Sequence, residues 1–172
     1  MKKSIHVSTG EVNAARANTI LNSPAIGSCV VIVAYDAKKM VGAMAHVMLP
    51  GTSPEKRTSQ RTRYAEDAIE EMIGMMTRQG TDRENIEVCL VGGANVLQRE
   101  DDTICQAIVD SVIEVLHKKN IEIKAKAVGG TERKSVSLNV NKGTINYTEG
   151  DGVEMLLWEP RERSASLVTR EV

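Results

Sequence analysis

The chain has 172 residues, 41% hydrophobic and 26% charged, with a formal net charge of −1 and no phenylalanine. That length suits one domain with a substantial core; near-neutral charge and an aromatic content of 2% supply neither the basic footprint nor the stacking platform of a nucleic-acid binder, so no nucleic-acid partner is expected. Apolar stretches reach about ten residues against the roughly 20 a membrane helix needs, so neither a signal peptide nor membrane insertion is expected.

The N-terminal part is predicted to be all strand: a short one near Ser4-Ile5-His6-Val7, another near Thr19-Ile20-Leu21, then two β-prone runs, Cys29 to Tyr35 and Met40 to Leu49, separated by Asp36-Ala37-Lys38-Lys39. Two such runs around a short polar break read as a hairpin. A turn centred between Ala37 and Lys38 pairs residues whose numbers sum to 75, which sets Ala34 against Val41, Ile32 against Ala43 and Cys29 against His46. Pro50-Gly51-Thr52-Ser53-Pro54 closes the block as a loop. From Gln60 to Gln79, Ala65, Ala68, Ile69, Met72, Ile73 and Met76 recur at the three-four spacing of one helical face. A buried strand over Ile86 to Val91 leads into Gly92-Gly93-Ala94, and a second helix carries Ile104, Ile108, Val112, Val115 and Leu116 on one side. Gly80 and Asn120 stand where these helices should stop. The last third returns to strands: Ile121 to Ala127, Val136 to Val140, then segments near Ile145 and from Val153 to Trp158, with a turn at Asn141-Lys142-Gly143. Segregated strands with two long helices predict an α+β domain over residues 1–160, a layered sandwich of mixed β-sheets covered by the helices. Residues 161–172 are expected to form a polar, mobile tail.

The chemistry-bearing residues cluster early. Directly opposed residues in a hairpin have Cβ atoms roughly 4.5–5.5 Å apart, close enough for a thiol and an imidazole to exchange a proton, so Cys29 and His46 are a candidate nucleophile and base. Gly27-Ser28 just before the thiol could turn at φ > 0 and converge backbone N–H groups into an oxyanion hole, each donor worth on the order of 3 kcal/mol. The same residues also fit a small buried cysteine opening a strand and a hydrogen-bonded structural histidine. His6 and His117 lack such a partner and read as structural or surface residues. Cys89 reads as core, and Cys105 lies beside the apolar helix stripe. Three cysteines without a CxxC pair fit a reducing cytoplasm, and no structural-zinc spacing is present.

Gly27-Ser28-Cys29, followed by Gly42 to Pro50 with His46 inside it, resembles the signature of the chemoreceptor glutamine deamidases, the CheD family. The likeness continues through Tyr64-Ala65, Val91-Gly92-Gly93-Ala94, Val128-Gly129-Gly130, Arg133 and Gly143, spanning most of residues 4 to 148. It implies a CheD-like fold, a cofactor-independent cytoplasmic amidohydrolase, Cys29 as nucleophile, His46 as base, and a hydroxyl six positions before the cysteine that orients the histidine. That position is Ser23, where the family usually carries threonine; Asn22 is the neighbouring alternative. At Ile104 to Ile108 the chain lacks the family's glycine and Arg-Asn pair, a departure expected to touch partner contacts. Implied partners are the cytoplasmic helices of chemotaxis receptors, as substrate, and a CheC-type phosphatase; no cofactor or metal is implied. The rival readings are a binding module for that phosphatase or for receptors with little catalysis, and a receptor methylesterase or transglutaminase built on the same Cys-His pair.

Overall fold

A computed structural model describes residues 2–161, so the expected tail at 161–172, apart from Arg161, lies outside the described residues. Among the described residues ten strands make two five-stranded sheets. The first has the order β1(Lys3–His6), β3(Thr19–Ile26), β8(Lys134–Asn139), β9(Thr144–Glu149), β10(Met155–Trp158). The second has the order β2(Val12–Ala15), β5(Val41–Val47), β4(Val30–Asp36), β6(Glu87–Gly92), β7(Glu122–Val128). Each contains one parallel pair, β1 with β3 and β6 with β7, so both are mixed. The helices are α1(Ala65–Arg78) and α2(Ile104–Lys118), the latter being the crossover that a parallel β6–β7 pair requires.

The layering follows from the period-two alternation of β4. Val30, Ile32 and Ala34 point toward the helices and pack with Ala68, Ile69, Met72, Ile108 and Leu116; Val31, Val33 and Tyr35 point the other way, onto Leu21, Val136 and Leu138 of the first sheet. A strand buried on both faces reads as a continuous apolar run, which is why no polar residue interrupts Val30 to Tyr35. Both helices therefore lie on the second sheet and none on the first, giving three layers: helices, second sheet, first sheet. Gly80 and Asn120 terminate the helices with φ of +98° and +57°, the left-handed conformation of a C-terminal cap.

Two expectations shift. The hairpin pairs residues summing to 77, with Val31 opposite His46 and Ala34 opposite Ala43. Met40 at φ +54° completes a four-residue loop, Ala37 to Met40, displacing the register by two. Helix α1 begins at Ala65 because Tyr64 is extended, φ −92° and ψ 142°, and bridges to Leu49; residues 59–63 form a separate 3₁₀ turn.

Candidate active site

A register shift of two preserves the face, since side chains alternate with period two. Cys29, just before β4, and His46 on β5 both point toward the first sheet. His46 lies directly across from Val31, so the thiol is its diagonal neighbour, a relation with Cα atoms about 7–8 Å apart that long side chains still span. The predicted direct opposition of Cys29 and His46 is thus corrected to a diagonal one. Across the gap between the sheets β3 brings Ser23, which is 1% exposed, against His46, which is 5% exposed. Cys29, half-buried, completes the set, and the three line one cavity of about 260 Å³ together with Val7, Gly27 and His6. Ser28 is half-buried and not part of the lining.

The hydrogen bonds orient the imidazole. Ser23 Oγ lies 2.8 Å from the Val7 carbonyl and 2.9 Å from His46 Nδ1, and Nδ1 lies 3.3 Å from the same carbonyl. The Val7 oxygen can only accept, so Ser23 spends its proton there and must accept from Nδ1–H. The neutral imidazole then carries its proton on Nδ1 and leaves Nε2 as a bare lone pair. Ser23 is thus the side-chain hydroxyl that meets His46. Asn22 faces the opposite side of β3, where its amide donates to Ser4 Oγ at 2.8 Å. The Val7 carbonyl has no signature in side-chain types, which is why the residue that anchors Ser23 was invisible in the sequence. Among the described residues no hydrogen bond joins Cys29 Sγ to His46.

Burial raises the Cys29 thiol pKa above its ordinary value, only partly offset by its own backbone N–H, which faces the sulfur. Burial likewise lowers that of His46, against the opposing pull of the Val7 carbonyl and the field of Glu11. Both shifts favour the uncharged pair, a thiol beside a neutral imidazole, over a thiolate–imidazolium pair. Cys89, deep between the sheets, is pushed up by burial to about 12, and a thiol held that firmly protonated is inert.

The loop carrying the thiol is held from behind by backbone. Gly93 N–H donates to the Cys29 carbonyl at 2.7 Å and Ala94 N–H to the Gly27 carbonyl at 3.0 Å. Gly129 N–H in turn donates to the Gly92 carbonyl and Asn95 N–H to the Gly130 carbonyl, so the Gly92-Gly93 and Gly129-Gly130 turns are successive supports of one loop. A Cβ on Gly92, at φ +123°, would stand 2.3 Å from the Cys29 carbonyl oxygen. The positive φ expected at Gly27 belongs instead to Ala25, at +56°, inside the bulge that interrupts the β3–β8 pairing between Ser23 and Ile26. Among the described residues no backbone carbonyl accepts from the N–H groups of Gly27, Ser28 and Cys29. The segment from Leu49 to Ser53 caps α1: Ala65 N–H donates to the Leu49 carbonyl, Glu66 N–H to the Gly51 carbonyl and Ser53 N–H to Asp67 Oδ2. The rim of the cavity is formed by His6, Ser8 and Thr9 on one side and Pro24 and Ala25 on the other. His6 thus stands at the mouth, unmarked in the sequence because it sits far from Cys29 along the chain.

A thiol, an imidazole with a fixed tautomer and an orienting hydroxyl in one cavity are the equipment of thiol-dependent acyl transfer. A family model described as CheD chemotactic sensory transduction matches residues 48–149, beginning just past His46. The chain is 39% identical over 151 residues to the probable chemoreceptor glutamine deamidase CheD of Chlorobium luteolum, covering 88% of this chain and 75% of that relative. It is 32% identical to the probable chemoreceptor glutamine deamidase CheD of Archaeoglobus fulgidus, over 87% and 97% of the two chains. To the chemoreceptor glutamine deamidase CheD of Thermotoga maritima it is 30% identical, over 91% and 97%. The chain belongs to the CheD family. No helix among the described residues is long and apolar enough to cross a membrane.

Proposed function

We propose that the protein is a cysteine-dependent protein-glutamine glutaminase that deamidates glutamine side chains of methyl-accepting chemotaxis receptors in the cytoplasm. The observation that carries this reading is the hydrogen-bonded relay from the Val7 carbonyl through Ser23 to His46 Nδ1, in the same cavity as Cys29. It supports a mechanism in which Nε2 takes the Cys29 proton as Sγ attacks the carboxamide carbon, so the thiolate forms as it reacts and the uncharged resting pair is no obstacle. The backbone N–H groups of Gly27, Ser28 and Cys29 hold the developing oxyanion. The imidazolium returns its proton to the departing nitrogen, ammonia leaves, and a thioester remains; Nε2 then draws a proton from water, whose oxygen attacks the thioester, and Cys29 regains its proton as the glutamate is released. Ser23, by accepting from Nδ1–H, stabilises the imidazolium formed in both steps.

A CheC-type phosphatase competing for the mouth of the cavity is the regulatory partner that the family resemblance implies. Incubation with a receptor cytoplasmic domain, followed by mass spectrometry of its glutamine-containing peptides, tests the activity. Conversion of amide to acid with release of ammonia is expected; methanol release from methylated receptors or amine incorporation without acid formation would replace this reading by an esterase or a transglutaminase.

A further inference from the structure

The outer face of the first sheet is covered by no described element, because both helices lie on the second sheet. Its cross-strand rows are unusual for a chain that is 26% charged. One runs His6, Asn22, Ser137, Asn146, Leu156 across all five strands. The next runs Ser4, Ile20, Asn139, Thr144, and a third contains Ser135 opposite Thr148. None of these rows holds a carboxylate, lysine or arginine. An exposed sheet face ordinarily carries charge, which keeps it soluble and prevents association.

The face is continuous with the cavity. His6, the first residue of the long row, is at the cavity mouth, and Pro24 lines both the cavity and a groove of about 150 Å³ walled by Asn22, Ser135, Ser137, Asn146 and Thr148. Glu154 at the rim is the one carboxylate of that groove. The Ala25 N–H donates to Ser135 Oγ at 3.3 Å, tying the bend beside the thiol to the groove wall. At the far end of the row Leu156 is 55% exposed and Val153, in the preceding loop, 80%; clustered exposed apolar side chains mark interaction surfaces. Four strand spacings of about 4.8 Å make the row about 19 Å long, enough to bear on a folded segment of a protein substrate.

We propose that this face is the docking platform for the receptor segment bearing the target glutamine, with the groove beyond Pro24 taking a neighbouring uncharged side chain of the same segment and Leu156 and Val153 packing on its apolar edge. The inference rests on the proposed deamidase activity. Its hydroxyls and carboxamides can both donate and accept, so they match an amide-rich surface without the desolvation cost of burying a charge.

The test replaces Asn146→Lys and Ser137→Lys singly, with Thr77→Lys on the exposed side of α1 as a control for the same charge change. The platform variants should lose about tenfold or more in kcat/KM on a receptor cytoplasmic domain, chiefly through KM, since a charge buried at the centre of an interface costs at least that much. Alkylation of Cys29 by iodoacetamide should proceed as in the parent. Platform variants as efficient as the control overturn the proposal. Should either lysine variant fail to fold, p-benzoylphenylalanine at position 146 or at position 77 in the Cys29→Ala protein decides instead: photocrosslinking to receptor from 146 alone supports the platform, and capture from 77 alone, from both, or from neither, overturns it. Receptor deamidation that survives Cys29→Ala would instead overturn the active-site reading, so the two failures are distinguishable.

Discussion

At the scale of single residues, the proposed chemistry is divided among three side chains, and each should leave a different trace when changed. Cys29→Ala and Cys29→Ser should abolish ammonia release while circular dichroism and melting stay near the parent, because a hydroxyl is far less acidic than a thiol and alanine has no nucleophile. Cys89, with its thiol held near 12 by burial, should be dispensable for turnover, and turnover lost with Cys89→Ala in a folded protein would contradict the assignment. Ser23→Ala removes the acceptor for Nδ1–H yet leaves the Val7 carbonyl 3.3 Å from that nitrogen, so the rate should fall by about one to two powers of ten rather than vanish. Ser23→Thr keeps the oxygen and should retain activity; equal rates for Ser23→Ala and the parent would reduce the site to a dyad. The pH profile carries a further signature. Burial lowers the His46 pKa below the ordinary imidazole value of about 6.5, so the base is already neutral at pH 7 and the acid limb of kcat/KM should lie below pH 6.5. An acid limb above 7 would mean that His46 is held as a cation at rest, contrary to the tautomer derived from its hydrogen bonds.

At the scale of elements, the site depends on a loop braced by backbone, and Gly92 is where that brace admits no side chain. Gly92→Ala would force φ +123° on an L-residue and bring Cβ to 2.3 Å from the Cys29 carbonyl oxygen, so it should cost about 4 kcal/mol or more. Gly51→Ala separates the two contributions, since Gly51 has φ +74° with open space around it; it should cost about 1–2 kcal/mol, the backbone share alone. Denaturant titration of the two variants checks this, and equal losses would refute the steric argument. The same elements define what was legible beforehand. Strands β4 and β5 and helices α1 and α2 were readable because their apolar periodicity extends over many residues. Strand β2, four residues of Val-Asn-Ala-Ala between polar segments, carries too little pattern to be seen. The face shared by Cys29 and His46 was readable through the parity of the hairpin, yet the register was not, because Met40 adopts a left-handed φ that nothing in its side chain demands. The placement of Ser23 came only through family resemblance: it lies on the other sheet, and no local pattern reports which β3 residue meets His46 across the layers.

At the scale of the whole molecule, the His46 end of β5 is tied to the helical layer by a buried carboxylate. Asp67, on the first turn of α1 and fully buried, accepts from Ser53 N–H at 2.7 Å, pairs with Lys56 Nζ at 2.5 Å and lies 4.0 Å from Arg61. The loop it gathers runs on to Arg63, whose carbonyl accepts from Met48 and Leu49 just past His46. Burial by itself would raise the Asp67 pKa; the Lys56 ammonium and the Ser53 N–H outweigh it and hold the carboxyl below its ordinary value. A carboxylate with a depressed folded-state pKa contributes stability above the unfolded value near 3.9 and loses it as pH falls through the folded one. Asp67→Asn keeps one acceptor for Ser53 but forfeits the charge that holds Lys56, so it should destabilise the protein at pH 7 by about 2–3 kcal/mol, toward the lower end for breaking a buried pair because Lys56 is partly in water. The gap between parent and variant should then close as pH is lowered from about 5 past the unfolded value and through the folded one, below which the parental carboxyl is also neutral. Chemical denaturation at a series of pH values measures it directly: a gap that stays constant across that range would assign the loss to packing at position 67 and remove the charge from the explanation. Because Asp67 touches neither Cys29, His46 nor Ser23, folded Asp67→Asn protein should still deamidate receptors at low temperature, with activity and structure lost together on heating.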